Sequence, residues 1–481
     1  MGRGISKPKQ PSVFQEALKK AIPDTTLIWF PQDKDFTSKV KAYNLDYPIV
    51  PAAVVRPNTK EEVAAAVKCA AEAGVKVQPR CGGHSFANYC LGGTNGALVI
   101  DLANFQKFEM DRKTWKATVG GGTLLKDITN RMHDAGGRAI AHGTCPQVGI
   151  GGHATIGGLG PLSRQWGASL DHIREVEVVL ADGSIVRANE TSNSDLYFAI
   201  RGAAASFGIV TEFVFQTRPE PKSTVHYSFT YEIGDWESKA KTFARWQEFV
   251  SKPDLDRKFA STLIVTPVGL IVTGTYFGTR AEFDRLELET KLGDRCSKSS
   301  IDTFENWVAS VLSWAQQEAI NFSGGIPAAF YSKSLALKPD TLIPENGLNS
   351  LFKYIHEANK GTLIWFVIFD LQGGATNDVP MDATSYAHRD TLYYLQSYAI
   401  GHDKVSKTTH NFLEGINNII QKAMPLVNFG AYPGYVDPYL ANGQQEYWGT
   451  NYPKLQQVKG VYDPKDIFSN PQSVRLPAKP K

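Results

Sequence analysis

The stretch His142-Gly143-Thr144-Cys145-Pro146-Gln147-Val148-Gly149-Ile150-Gly151-Gly152-His153 runs almost directly into Ile156-Gly157-Gly158-Leu159-Gly160. Glycine at this density costs chain entropy, and a fold usually tolerates it where backbone approaches a ligand closely. A shorter loop of the same kind, Cys81-Gly82-Gly83-His84-Ser85, lies upstream. Taken alone, these residues leave three readings open. Zinc is one, although neither Cys-x-x-Cys nor His-Glu-x-x-His is present. A buried thiol with satisfied histidines in tight loops is the second. The third is a phosphate-bearing cofactor held against backbone N–H groups.

The segments around the two loops alternate strand and helix. Val50 to Arg56 reads as a strand. Thr59-Lys60-Glu61-Glu62 has the capping-box form and opens an alanine-rich helix that stops at Gly74. Val75 to Pro79 is the next strand, so a βαβ unit ends at the Gly82-Gly83-His84 loop. Leu98 to Asp101 is another strand. Trp115, Ala117 and Val119 share one face of a further strand, which ends at Gly120-Gly121-Gly122. Leu124, Leu125, Ile128 and Met132 then mark a helix closed by Gly136-Gly137. The glycine triplet sits between strand and helix, as a dinucleotide-binding turn would, but the acidic residue of that turn is missing. Downstream come a hairpin around Asp182-Gly183, a short helix over Asp195 to Gly202, and a strand ending near Arg218.

Pro219-Glu220-Pro221 marks a boundary. Beyond it the glycine loops thin out and the elements lengthen. Strands are expected at 224–231, 260–267, 270–276, 361–371 and 390–398. Helices are expected at 236–250, 280–291, 304–318, 345–359 and 407–423, packed on one side of a broad sheet. From Asn428 the chain returns to loops and aromatics. The fold class read from this order is α+β.

Length and composition exclude several function classes. With 481 residues and a net charge of +3 in no long basic run, the chain carries no dedicated nucleic-acid or anionic-membrane surface. No stretch has the roughly 18 apolar residues of a membrane span. Five cysteines are too few for a disulfide scaffold, although Cys81 and Cys90 are near enough in sequence to pair. Met1 to Gln10 lacks the apolar region of a signal peptide, which points to an intracellular protein, whereas the sequons Asn189-Glu190-Thr191 and Asn321-Phe322-Ser323 point to a secreted glycoprotein, although a chain this long holds a couple of sequons by chance.

Asp370 is out of pattern at the end of the apolar run Leu363-Ile364-Trp365-Phe366-Val367-Ile368-Phe369. It reads either as a cap on the turn at Gly373-Gly374 or as a buried carboxylate that assists a proton transfer. Tyr432, Tyr435 and Tyr439 cluster in the C-terminal loop, and a phenol with a pKa near roughly 10 needs such assistance to serve as a base.

Several distant motifs occur here in one family's order. They are Gly82-Gly83-His84-Ser85, His142-Gly143-Thr144-Cys145-Pro146, Asp195-Leu196-Tyr197, Arg201-Gly202, Phe207-Gly208-Ile209-Val210, Tyr386-Ala387-His388-Arg389-Asp390 and Tyr447-Trp448-Gly449. From about residue 48 to 475 the chain resembles the berberine-bridge-type FAD oxidases of the vanillyl-alcohol-oxidase superfamily. It is similar in particular to fungal oxidases of gluco-, chito- and xylo-oligosaccharides. The resemblance implies a two-part FAD-binding domain of the PCMH type and a substrate domain whose large antiparallel sheet is covered by helices. On that pattern 1–218 forms the FAD-binding domain, 219–424 the substrate-binding domain, and 425–481 a segment that returns to the FAD domain.

The resemblance further implies bicovalent FAD, bonded at the 8α-methyl to His84 and at C6 to Cys145. The cofactor contacts it implies are Gly82, Gly83, Ser85, Gly121, Gly122, Thr144, Gly149, Gly152, His153, Gly158 and Ile209, with the pyrophosphate against the glycine loops. It assigns the base to Tyr435, with Tyr432 as fallback, assisted by Asp370. Phe86, Ile368, Gln396 and Thr266 fall at substrate positions. No metal is implied. The activity implied is oxidation of the anomeric C1 hydroxyl of a reducing oligosaccharide to the lactone, and so to the aldonic acid, with O2 reduced to H2O2 by a secreted monomer. The sequence departs from the family pattern at Phe86, where tyrosine is expected, and at Ile368, where some relatives carry glutamine. The strand Leu263-Ile264-Val265-Thr266 is also apolar for a sugar groove. These changes leave open a second reading, a tailoring oxidase of a lipophilic secondary metabolite. A catalytically idle flavin- or glycan-binding protein is the third, and Tyr435 with Asp370 speaks against it.

Overall fold

The computed structural model describes residues 12–293, 296–322 and 326–478. Met1 to Gln10 lies outside them, and the sequon at Asn321 runs out of them at Ser323. The other sequon residue, Asn189, is half-buried, and its amide donates to Glu175 at 2.8 Å.

The N-terminal sheet is built as the capping signals require. The Thr59 hydroxyl accepts from the N–H of Glu62, and the Glu62 carboxylate accepts from the N–H of Thr59, opening the helix Lys60–Ala73. Gly74 closes it with φ +68. The strands Ala53–Val55 and Val77–Arg80 that flank this helix both run parallel to Leu98–Asp101, which lies between them. Ile28–Trp29 adds an antiparallel edge.

A second, antiparallel sheet has the order Phe108–Asp111, Lys116–Gly120, Ile209–Gln216, Ile173–Val179, Ile185–Asn189. The hairpin around Asp182-Gly183 joins the last two in register. The strand Phe108–Asp111 carries only four residues with no apolar run, so periodicity alone did not mark it. Trp115 is not on the face shared by Ala117 and Val119, because it turns the chain with φ +56 before the strand begins.

The third sheet has seven antiparallel strands in the order Lys298–Phe304, Thr224–Tyr231, Gly269–Tyr276, Phe259–Thr266, Ile364–Leu371, Tyr393–Ile400, Phe330–Leu337. Alternation divides its residues between two faces. Val225, Tyr227, Val272, Leu263, Val367, Phe369, Tyr393 and Leu395 pack under the helices Trp236–Val250, Glu345–Glu357 and Lys407–Ala423. The opposite face looks toward the first two sheets. The helices do not all lie on one side, as the sequence reading had them. Trp307–Phe322 sits on the opposite face, where the Ser310 hydroxyl is 2.8 Å from His226 Nε2 and the Trp314 indole donates to Thr275 at 2.9 Å. The expected helix over 280–291 is two short helices, Arg280–Asp284 and Leu288–Leu292, broken at Glu287 with φ +50. Two strands, Lys298–Phe304 and Phe330–Leu337, went unread.

The C-terminal segment packs back on the first half of the chain. Tyr447, Trp448, Leu455, Val458 and Val474 share the core of the second sheet, and Ile467 and Phe468 that of the first. The fully buried Lys459 ammonium pins the return, donating to Asp463 at 2.6 Å and to the carbonyls of Ser206 and Phe468 at 2.7 and 2.8 Å. No helix among the described residues is long and apolar enough to cross a membrane.

Candidate active site

The two glycine loops meet. A Cβ on Gly82 would lie 2.5 Å from the carbonyl oxygen of Gln147, and one on Gly149 would lie 2.1 Å from Cys81 Sγ. Only glycine allows backbone to approach backbone this closely. That contact brings His84 and Cys145, distant in sequence, to the wall of a single cavity of about 560 Å³. Gly83, Ser85, Thr144, Gly152 and His153 line the same wall. A Cβ added to Gly152 would meet no atom within 4 Å, so this backbone is open to the cavity. Further lining comes from Ala203, Ala204, Ser206 and Gly208, and from Asn470, Gln472 and Ser473 of the C-terminal return.

The opposite wall is the free face of the seven-stranded sheet, arranged in rows. Thr273, Thr262, Asp370 and Tyr394 are neighbours across four strands. Two residues along, Ile271, Ile264, Ile368 and Gln396 form the next row. Phe366 and Tyr398 form the third, their rings stacked at 4.9 Å and 9°. Phe86, from the His84 loop, meets Tyr398 at 6.1 Å and stacks on Tyr435 at 5.9 Å.

Asp370 is a held carboxylate. It accepts from the Thr262 hydroxyl at 3.1 Å and from the Gln372 amide at 2.8 Å. Tyr432 and Tyr435 lie edge to face at 5.1 Å on a turn closed by the N–H of Tyr435 donating to the carbonyl of Tyr432. Their surroundings differ. Tyr432 is buried, wedged against Gly157 and Gly434, and its hydroxyl accepts from the N–H of Gly158 at 3.1 Å. Burial, helped by the Asp370 charge, pushes its phenol up to about 12 even with that N–H bond. Tyr435 is only half-buried and faces the cavity. The geometry makes Tyr432 a structural wall and leaves Tyr435 as the accessible phenol.

On the flavin side, burial lowers the His84 imidazole to about 4, so it is neutral and keeps a free lone pair at physiological pH. Tyr43 covers it at 4.5 Å. Cys145 is partly exposed, its thiol 3.3 Å from the Gln147 amide oxygen. Burial pushes the neighbouring Cys81 thiol up to about 12, which makes it an inert space-filler beneath Gly149. Cys81 and Cys90 are both free. Among the described residues no cluster of His, Cys, Asp and Glu could hold a metal. An open glycine shelf, a neutral imidazole and an accessible thiol on one elongated cavity fit FAD.

Five of the expected contact residues do not line this cavity. Gly121 and Gly122 are packing glycines, since a Cβ on them would lie 2.2 Å from the Val210 carbonyl oxygen and 1.7 Å from that of Leu102. Gly158 packs on Ser169, and Ile209 is buried under the first sheet. Thr266 bonds the carbonyl of Gly269 in its own turn at 3.2 Å. The sequence reading missed Thr262, Ile264, Phe366 and Tyr398. They share the strand parity of Asp370, Ile368 and Gln396, and that parity was the signal for them once register is known.

Comparison with known proteins agrees with this geometry. Residues 51–189 match an FAD binding domain, and 431–475 match the family described as berberine and berberine like. The chain is 39% identical to the FAD-linked oxidoreductase sorD of Penicillium rubens, over 94% of this chain and 96% of the relative. It superposes on the xylooligosaccharide oxidase of Myceliophthora thermophila in complex with xylobiose with a TM-score of 0.89 at 30% identity, covering 97% of this chain and 100% of that one. The glucooligosaccharide oxidase of Acremonium strictum, described with a 6-S-cysteinyl, 8α-N1-histidyl FAD, superposes with a TM-score of 0.87 at 29% identity, covering 96% of this chain and 100% of that one. Taken with the cavity, these likenesses show that the chain belongs to the berberine-bridge-like family of FAD-linked oxidoreductases.

Proposed function

We propose that this protein is an oxidase of a lipophilic alcohol, with FAD bonded to both His84 and Cys145. The chemistry a bound FAD would supply is acceptance of hydride from a carbinol carbon, with O2 as the final acceptor and H2O2 as the co-product. The observation that carries the reading is the make-up of the wall facing the flavin loops. It pairs Asp370 and the accessible Tyr435 with a surround of Ile264, Ile368, Phe366, Phe86 and Tyr398. Tyr435 takes the proton of the substrate hydroxyl, and Asp370 holds the polar end of the site by its bonds to Thr262 and Gln372. The rings and isoleucines exclude water and offer few hydrogen-bond partners, which disfavours a substrate covered in hydroxyls. The chain is more alike to sorD, an FAD-linked oxidoreductase, than to the xylooligosaccharide oxidase, so likeness to sugar oxidases does not by itself fix a sugar substrate.

The second reading is oxidation of the anomeric C1 of reducing oligosaccharides to lactone and aldonic acid. Gln396 on the middle row and the resemblance to the xylobiose-bound structure favour it. A peroxide-detecting substrate panel separates the two. Peroxide from apolar allylic or benzylic alcohols and none from cello-, chito- or xylo-oligosaccharides supports the first, and the reverse pattern refutes it.

A further inference from the structure

Resting on that reading, we infer that the substrate carries an extended apolar arm, laid along the sheet from Ile368 to an exposed rim at Ile364. The free face of the sheet changes character steadily along its strands. The row holding Asp370 is polar, with Thr273 and Thr262. The next holds Ile271, Ile264 and Ile368 beside a single polar residue, Gln396, and the third is the stacked pair Phe366 and Tyr398. Phe330 backs this pair, stacked on Tyr398 at 4.7 Å and meeting Phe86 edge to face at 5.0 Å. The fourth row pairs Ile364 with Ile400.

That last row breaks the usual pattern. Ile364 lies on the fifth of seven strands, on the same face as Phe366 and Ile368, yet it is 54% exposed. Here the apolar side chains on this face of one strand run from the cavity-lining Ile368 and Phe366 to a surface residue, Ile364. From residue 368 to residue 364 this stripe spans about 14 Å, at roughly 3.4 Å per residue. An extended aliphatic or unsaturated arm fits such a stripe, with the carbinol beside Tyr435 and any polar end group toward Thr262 and Asp370.

The test uses the flavin-loaded protein and linear 2-alken-1-ols of increasing length, with binding read from perturbation of the bound flavin's visible spectrum and turnover read separately. Each methylene laid on the stripe should tighten binding about fourfold until the chain passes the rim, after which affinity levels off. Ile364→Asp should abolish the gain contributed by the last methylenes, and Phe366→Ser the gain from an earlier point in the series. Affinity independent of length, or a loss in Ile364→Asp that is equal for every member, overturns the arm. Length-dependent binding with peroxide formed only from oligosaccharides leaves the arm standing and refutes the lipophilic-alcohol reading.

Discussion

Acidification should loosen the loop that carries Cys145 before it affects the rest of the flavin shelf. Two histidines hold this loop through acceptor nitrogens. His172 Nε2 accepts from the N–H of Ala141 at 3.3 Å, while its Nδ1 lies 3.1 Å from the Gln216 carbonyl. His153 Nε2 accepts from the N–H of Gly143 at 2.9 Å. Protonation would turn each acceptor into a donor pointed at a donor. Burial accordingly lowers His172 to about 4 and His153 to about 3, from 6.5. With the folded values below the unfolded one, the unfolded chain binds more protons in between, so stability is present above 6.5 and is lost as pH falls toward 4. Between pH 7 and pH 5 each histidine costs about 2 kcal/mol. The assay is hydrogen exchange of the Ala141 and Gly143 amides, corrected for intrinsic rate, and protection should fall about 25-fold over that interval. His172→Gln keeps an acceptor without a titrating group, so the pH dependence at Ala141 should flatten while that at Gly143 persists. Protection that stays level in the wild type, or a slope at Ala141 unchanged in the variant, refutes the reasoning.

Acid precipitation should leave flavin with the protein in the wild type and in either Cys145→Ala or His84→Ala alone; the double variant should release it to the supernatant, and release from the wild type would exclude covalent attachment. Tyr435→Phe should keep its flavin and lose at least a hundredfold in kcat, whereas Tyr432→Phe should lose stability first; near-normal turnover in Tyr435→Phe would remove it as the base. Lys333 donates to Asp437 at 2.7 Å in a buried pair two residues beyond Tyr435, so Lys333→Met strands a buried carboxylate. The cost should be about 3 kcal/mol, the low end for such pairs because Asp437 keeps bonds from Tyr331 and the N–H of Tyr439. Lys333→Met with Asp437→Asn should recover part of it, and a melting temperature unchanged in the single variant would count against the pair.

The flavin side of this protein was legible in the chain because its determinants are local. The Thr59 capping box, the Gly74 terminator and the two glycine loops each act within a few residues, and the side chains His84 and Cys145 sit inside their own motifs. Sequence marked Asp370 as out of pattern, because one carboxylate in an apolar strand is visible without any partner. It could not separate glycines that face a cofactor from glycines that face backbone. Gly152 is open, while Gly122 lies against Leu102, and only the packed chain distinguishes them. Nor could it choose between Tyr432 and Tyr435, which differ in what surrounds them rather than in their own loop.

The substrate face was decided by register alone. Phe366, Ile368 and Asp370 come from one strand, Thr262 and Ile264 from a second, Gln396 and Tyr398 from a third, and Phe86 from a loop some three hundred residues earlier than the last of these. A shift of one residue in any strand would send its contribution to the helix-covered side. The sequence by itself therefore determined the family's fold and the two loops that carry His84 and Cys145, since those are written in short-range turns and caps. The tertiary structure decided what faces the flavin, since cross-strand pairing alone turns scattered apolar residues into one face.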